Sequence, residues 1–390
     1  MNQECIVIVG GGPAGLSTAR AYRQAGGSGA VTILTTEPYP PYNRPPLTKD
    51  YLRGGTSREE LPMEPERWYE ENAVELRLMT HVSSLDRDRR VVETEGGEFP
   101  YDVCVLATGS EPVRLPVQGA DDPDILVMRT IENSTRLQAR INRGSPVVVV
   151  GSGFIGCEAA ASLSMRGAEV TLVSLEERPQ IERLGEQVAE RIEGWLEGYG
   201  VELRCGSSVS GIERRNGGYE VGVEDGPTLS AETVLFGTGV RPRTEIAEMA
   251  GLEVVEGGIV SDSSMRTSAP GVFAVGDVSF AYNEAAARRL HVEHWGEALN
   301  HGRVAGTVVA GGEAAWDVAP GFWSTVGEQT LKYVAWGEGF DDASFVDHGG
   351  GAFTCWYGSE GVCVGVLTHD HDEDYERGRK LVESGAPLPV

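Results

Sequence analysis

The 390-residue chain carries the same short arrangement twice. Ile6–Val9 runs into Gly10-Gly11-Gly12-Pro13-Ala14-Gly15 and then a helix-like stretch through Gln24. Val147–Val150 runs into Gly151-Ser152-Gly153-Phe154-Ile155-Gly156 and a helix-like stretch through Met165. Both are G-x-G-x-x-G placed between an apolar run of buried-strand type and a helix. The first two glycines let backbone N–H groups approach a pyrophosphate, the third lets the helix pack against the strand, and the helix N-terminus faces the anion. One such motif is often only a turn. Two in the same strand–turn–helix–strand frame predict two dinucleotide sites and electron transfer between them.

The second strand of each unit follows in step. Val31–Leu34 leads to Glu37, about 20 residues beyond the turn, where an acidic group meets ribose hydroxyls. Val170–Val173 leads to Ser174, Leu175, Glu176 and Glu177. A small residue at Ser174 leaves room for a 2′-phosphate, but Glu176 and Glu177 repel one, so NADH is expected over NADPH.

Charge and composition remove other classes. A formal charge of −26 argues against nucleic acid and anionic membranes as partners, since both need a cationic surface. The longest apolar runs are strand-sized, too short to span a bilayer. The chain enters its first strand (Cys5–Val9) with no basic segment and cleavage site before it, so a cytoplasmic protein is expected. Six cysteines are scattered without a C-x-x-C, which argues against a thiolate zinc site or an iron–sulfur cluster. His369-Asp370-His371-Asp372 reads as a polar surface strand, and no metal site is expected.

Further segments stand in order across roughly residues 5 to 335. They are Pro41-Tyr42-Asn43-Arg44-Pro45-Pro46-Leu47-Thr48-Lys49-Asp50-Tyr51-Leu52, Ala107-Thr108-Gly109, Gly237-Thr238-Gly239-Val240-Arg241-Pro242 and Arg266-Thr267-Ser268. Gly271-Val272-Phe273-Ala274-Val275-Gly276-Asp277, His291-Val292-Glu293-His294-Trp295 and Pro320-Gly321-Phe322-Trp323-Ser324 complete the set. Together these resemble the flavoprotein reductases that bind two dinucleotides, in the branch of the FAD-dependent ferredoxin, putidaredoxin and rubredoxin reductases, with apoptosis-inducing factor as a relative. Disulfide reductases carry a redox-active cysteine pair where this chain has Pro41–Leu52 and no cysteine.

The resemblance implies an α/β fold with two Rossmann-like domains and a cap. An FAD domain (1–111 and 241–317) would be split by an inserted NAD(P)H domain (112–240), and a small C-terminal α/β cap (318–390) would follow. Pro112, Pro116, Pro242 and Pro320 punctuate those joins. In the cap, Leu331–Trp336 and Phe353–Tyr357 alternate as strands.

It also implies roles. Gly10, Gly12, Pro13, Ala14, Gly15, Glu37 and Arg44 would hold FAD, with Val82 and Arg129 at its adenine and pyrophosphate end. Ala107, Thr108, Gly109, Gly276 and Asp277 would line it, Asp277 bonding the ribityl chain. Glu293, His294, Trp295 and Trp323 would stand near the isoalloxazine. Gly151, Gly153, Phe154, Ile155, Gly156, Ser174, Glu176, Gly237 and Gly239 would hold NAD(P)H. Lys49 would lie beside the flavin N5 and pair with Glu158, the cation favouring the negative charge of the reduced ring.

The expected acceptor is a small ferredoxin-type protein, and the chain is expected to be a monomer or homodimer. Charge opposes that acceptor, because ferredoxins are acidic and so is the cap. Arg288 and Arg289 are the candidate docking cations. Two alternatives stay open: an NADH-dependent reductase of oxygen, peroxide or quinones, and a redox-responsive binding protein like apoptosis-inducing factor.

Overall fold

The computed structural model describes residues 4–389. Two parallel five-stranded sheets carry the two glycine turns. The first has the order Val272–Ala274, Val103–Leu106, Cys5–Val9, Ala30–Leu34, Val74–Arg77, with Ile8 opposite Ile33 on one side and Val105 on the other. The second runs Glu202–Arg204, Glu169–Val173, Pro146–Val150, Thr233–Phe236, Leu126–Val127, with Val149 opposite Leu172 and Leu235. Both central strands are apolar and buried beyond their first residue, because parallel sheets are covered on both faces.

The chain leaves the first sheet after Leu106, builds the second, and returns to add Val272–Ala274. The outgoing and returning segments lie side by side, Ser110–Pro112 pairing antiparallel with Val240–Pro242. Helix Pro13–Gln24 packs backbone to backbone on helix Trp295–Val309. A Cβ at Gly302 or Gly306 would come within 2.3 Å of the carbonyl oxygens of Ala14 and Thr18. That close crossing brings Gly12 and Trp295, at the two helix starts, to the wall of one cleft.

The C-terminal segment is the expected small cap of strands and helix, and its sheet runs antiparallel. It has five strands, ordered Gly321–Val326, Gln329–Ala335, Val362–His369, Ala352–Ser359, Asp342–Gly349, with the helix Asp372–Ser384, and is therefore α+β. Phe353–Tyr357 is a strand as expected but does not alternate in exposure: all five residues are buried. Helix Asp372–Ser384 covers one face, where Gly378 has no room for a Cβ beside Val366. On the other side Tyr357 donates its hydroxyl to the Leu184 carbonyl at 2.9 Å, and Phe353 lies against Trp195.

The run from His369 to Asp372 is not an alternating surface strand either. His369 ends its strand buried, with Nδ1 2.8 Å from the Thr330 carbonyl, and His371 caps the last helix. Cys104, Cys157, Cys355 and Cys363 are buried as thiols. Among the described residues no helix is long and apolar enough to cross a membrane.

Candidate active-site cleft

A continuous cleft of about 1530 Å³ opens between the two parallel sheets and the C-terminal sheet. The two glycine turns form its opposite walls, and their glycines divide the work in the same way. Gly10 has φ +126° and no space, since a Cβ would sit 2.0 Å from the Ala107 carbonyl oxygen. Gly15 would clash with Gly10 O at 2.2 Å, whereas Gly12 has nothing within 4 Å. In the second turn Gly151 (φ +103°) and Gly156 are blocked at 2.5 and 2.0 Å, while Gly153 meets nothing closer than 3.7 Å. The outer glycines are needed for the turn itself. The middle ones face open cleft at the first turn of a helix whose N–H groups no side chain caps. These are two cradles suited to a dinucleotide pyrophosphate, so the residues present fit both an FAD and a nicotinamide coenzyme.

Around the first cradle Glu37 is fixed by Arg44 (2.7 Å) and by the Tyr42 hydroxyl (2.6 Å), and Arg44 also donates to the Arg129 carbonyl at 2.6 Å. Asp277 is buried on the floor, where burial alone would push its carboxyl up. Arg129 at 2.8 Å and the Ser110 hydroxyl at 2.7 Å overcome that and hold it below the ordinary carboxylate range, so it is ionised. Arg129 is thus the ion-pair partner of the floor carboxylate. Pro13, Ala14, Val82, Ala107, Thr108, Gly109 and Gly276 also line this part.

At the centre Lys49 Nζ lies 2.6 Å from Glu158 Oε2, and the same oxygen accepts from the Thr48 hydroxyl at 2.5 Å. The other oxygen accepts from the Ser324 hydroxyl at 2.8 Å and the Thr325 N–H at 3.1 Å. Glu158 stands on the helix of the second cradle, Lys49 comes from the Pro41–Leu52 segment beside the first, and Ser324 comes from the C-terminal sheet. One carboxylate therefore ties three parts of the chain together.

An aromatic line crosses the cleft beside that pair. Phe154, on the second cradle, meets Phe322 edge-on with centroids 4.7 Å apart, and Phe322 meets His294 at 4.4 Å. Burial, with Arg183 nearby, pushes His294 down to about 4, so its ring is neutral at pH 7, and Nδ1 has no partner among the described residues. Ile155, Glu293, Trp295, Gly237 and Gly239 line the cleft, and Trp323, 46 % exposed, stands at its mouth.

At the coenzyme end Ser174 does not open on the cleft. It is buried, with its hydroxyl 2.6 Å from that of Ser152. Glu176 does line the cleft; its carboxylate accepts the Ser152 hydroxyl at 2.7 Å and the backbone N–H groups of Gln180 and Glu182 at 3.2 Å. Of the two residues expected here, only Glu176 lines the cleft. Arg288 is taken up by Glu338 through two 2.6 Å contacts, and Arg289 makes no ion pair among the described residues. Sequence reasoning missed Ser110, Thr48 and Gln180, whose partners lie far along the chain or in the backbone and leave no local pattern.

Residues 5–302 match the model of the pyridine nucleotide-disulphide oxidoreductase family, and the chain belongs to that family. It is 32% identical over 329 residues to a rubredoxin-NAD(+) reductase of Pseudomonas putida, covering 84% of this chain and 85% of the relative. It is 31% identical over 390 residues to a ferredoxin–NAD(P)(+) reductase of a Sphingomonas species, covering 98% and 93%. Among solved structures, the covalent putidaredoxin reductase–putidaredoxin complex superposes with a TM-score of 0.91 at 30% identity, covering 98% of this chain and 94% of that one.

Proposed function

We infer that the protein is an FAD-dependent NADH oxidoreductase that delivers electrons to a small iron–sulfur protein of the ferredoxin type. The observation that carries this reading is the Lys49–Glu158 pair, held between two dinucleotide cradles in a chain that resembles reductases of such acceptors over nearly its whole length. FAD, when bound, supplies the chemistry: it takes a hydride from the nicotinamide and gives up electrons singly or in pairs.

The protein's own residues bind, orient and exclude water. Gly12 and the helix behind it would hold the FAD pyrophosphate, and Glu37, pinned by Arg44 and Tyr42, would bond the adenosine ribose. Gly153 and Glu176 would do the same for NADH. Lys49 would set its ammonium where the reduced ring gains negative charge, and Glu158 fixes that ammonium at 2.6 Å. Phe154, Phe322 and His294 close the apolar side of the nicotinamide approach. We assign 1–111 and 241–317 to FAD, 112–240 to NADH and 318–390 to the cap, with residues 1–3 and 390 outside the described structure.

The acidic surface favours a second reading, a reductase of small oxidants, because Glu338 neutralises Arg288 and leaves Arg289 alone as a docking cation. The test is NADH oxidation in air by the FAD-loaded protein, with and without a two-iron ferredoxin, read by cytochrome c. Ferredoxin-dependent turnover supports the first reading. Equal rates in both reactions support the second.

A further inference from the structure

We propose that His348, His371 and Asp374, at the outer end of the C-terminal sheet, form a binding site for one divalent transition-metal cation of the zinc class. The site is separate from the cleft, and no residue of it takes part in the electron transfer described above. Its three groups come from different places. His348 lies near the end of strand Asp342–Gly349, His371 precedes helix Asp372–Ser384, and Asp374 is in that helix's first turn.

Their donor atoms converge. Asp374 Oδ2 is 3.4 Å from His348 Nε2 and 3.2 Å from His371 Nδ1, and all three lie within 4.8 Å of one another. Metal–ligand bonds of about 2.0–2.1 Å in a tetrahedron give ligand-to-ligand edges of roughly 3.3 Å, so these atoms already stand at coordination spacing. The third edge, between the two imidazole nitrogens, is the one that must adjust.

The surroundings favour a cation. His371 Nδ1 is shielded from solvent yet makes no hydrogen bond among the described residues, its approach to the carboxylate lacking the geometry of one. The Thr354 hydroxyl donates to Asp374 Oδ2 at 2.9 Å, fixing the carboxylate from behind as an outer-shell partner does. The same hydroxyl is 2.9 Å from His348 Nε2, a contact that a metal would replace. The two rings stack with centroids 3.7 Å apart and planes 9° apart. A metal lies in the plane of each imidazole it binds, so coordination opens the stack into a V. His348 is exposed and followed by Gly349-Gly350-Gly351, which leaves its ring room to turn. Asp370 and Glu373 add exposed negative charge to the same turn, where Asp372 is paired with Lys332 at 2.6 Å. Two imidazoles and one carboxylate suit zinc, nickel or copper, whereas magnesium and calcium prefer all-oxygen sets.

The test uses the FAD-loaded, chelator-treated full chain, titrated calorimetrically with Zn2+ and, separately, with Mg2+. One equivalent of Zn2+ per chain and no Mg2+ uptake are expected. His348→Ala and His371→Ala should each weaken Zn2+ binding about tenfold or more, since even outer-shell changes cost that much, and NADH-dependent dye reduction should be unchanged. Equal Zn2+ uptake by the wild type and the double variant overturns the site, as does equal uptake of Mg2+. Anomalous diffraction from Zn2+-soaked wild-type crystals decides independently of how the variants fold: a peak between the three side chains supports the site, and a peak elsewhere or none rejects it.

Discussion

Lys49 Nζ and Glu158 Oε2 are 2.6 Å apart across the join between the two dinucleotide cradles, although 109 residues separate them in sequence. Glu158 accepts four hydrogen bonds, from Lys49, Thr48, Ser324 and Thr325. Removing the carboxylate frees the ammonium and strands two hydroxyls and an N–H that are largely out of water. Glu158→Ala should therefore slow flavin reduction by NADH on the order of 100-fold, comparable to losing one preorganised electrostatic group. Glu158→Gln keeps an acceptor for Ser324 and Thr325 and should fall between. Anaerobic stopped-flow bleaching of the flavin measures both, and near-wild-type rates in Glu158→Ala would leave the pair with a structural role alone.

Coenzyme preference should depend on Glu176 and not on Ser174. Glu176 lines the cleft and its carboxylate is aimed by two backbone N–H groups, while the Ser174 hydroxyl is turned inward to Ser152. Glu176→Ala removes a negative charge from the ribose end and opens N–H donors to a 2′-phosphate. The ratio of kcat/KM for NADPH over NADH should rise about tenfold, roughly 1.4 kcal/mol of transition-state binding. Ser174→Ala should leave the ratio within about twofold. An unchanged ratio in Glu176→Ala would place the ribose elsewhere.

The glycines of the first cradle should separate folding from cofactor binding. A Cβ on Gly15 meets a backbone oxygen at 2.2 Å, so Gly15→Ala has to move the turn and should cost about 1–3 kcal/mol or more. A Cβ on Gly12 meets no protein atom within 4 Å. Gly12→Ala should melt like wild type once both are stripped of FAD, yet retain much less flavin through purification. Thermal melts of the apoproteins and flavin absorbance after gel filtration check the pair.

How far the sequence reveals this site follows from where each interaction is encoded. Gly10, Gly12 and Gly15, their strand and their helix lie within a single turn of chain, and the two helices end at Gln24 and Met165, as their pattern predicts. Glu158 was reachable only through the resemblance, because its partners are brought by three different segments. The strand ends as predicted, but a side-chain direction that no local pattern encodes sets Ser174 and Glu176 apart: the Ser152 hydroxyl and the Gln180 turn draw the acid forward and the serine back. In the last sheet, alternation read from Phe353–Tyr357 implies one wet face, yet residues 181–198 and the final helix cover both. That covering is tertiary and has no local signature.

His301 gives the protein an acid-sensitive core. It is 0 % exposed on helix Trp295–Val309, packed edge-on against Trp316 at 4.4 Å, and neither ring nitrogen has a partner among the described residues. Burial lowers it from 6.5 to about 3, so the folded state keeps the ring neutral while the unfolded chain binds a proton once the pH drops below the ordinary value. The stability this preserves is complete above about pH 6.5 and is lost as pH falls toward 3, on the order of 3 kcal/mol by about pH 4. His301→Leu removes the titration and two unsatisfied nitrogens while filling much of the same space, so it should cost little at pH 7 and flatten the acid limb. Urea titrations of both proteins from about pH 7 to pH 4 measure the difference. Parallel slopes would show that a buried water or proton already satisfies the ring, and a steeper slope in the variant would reverse the sign argued here.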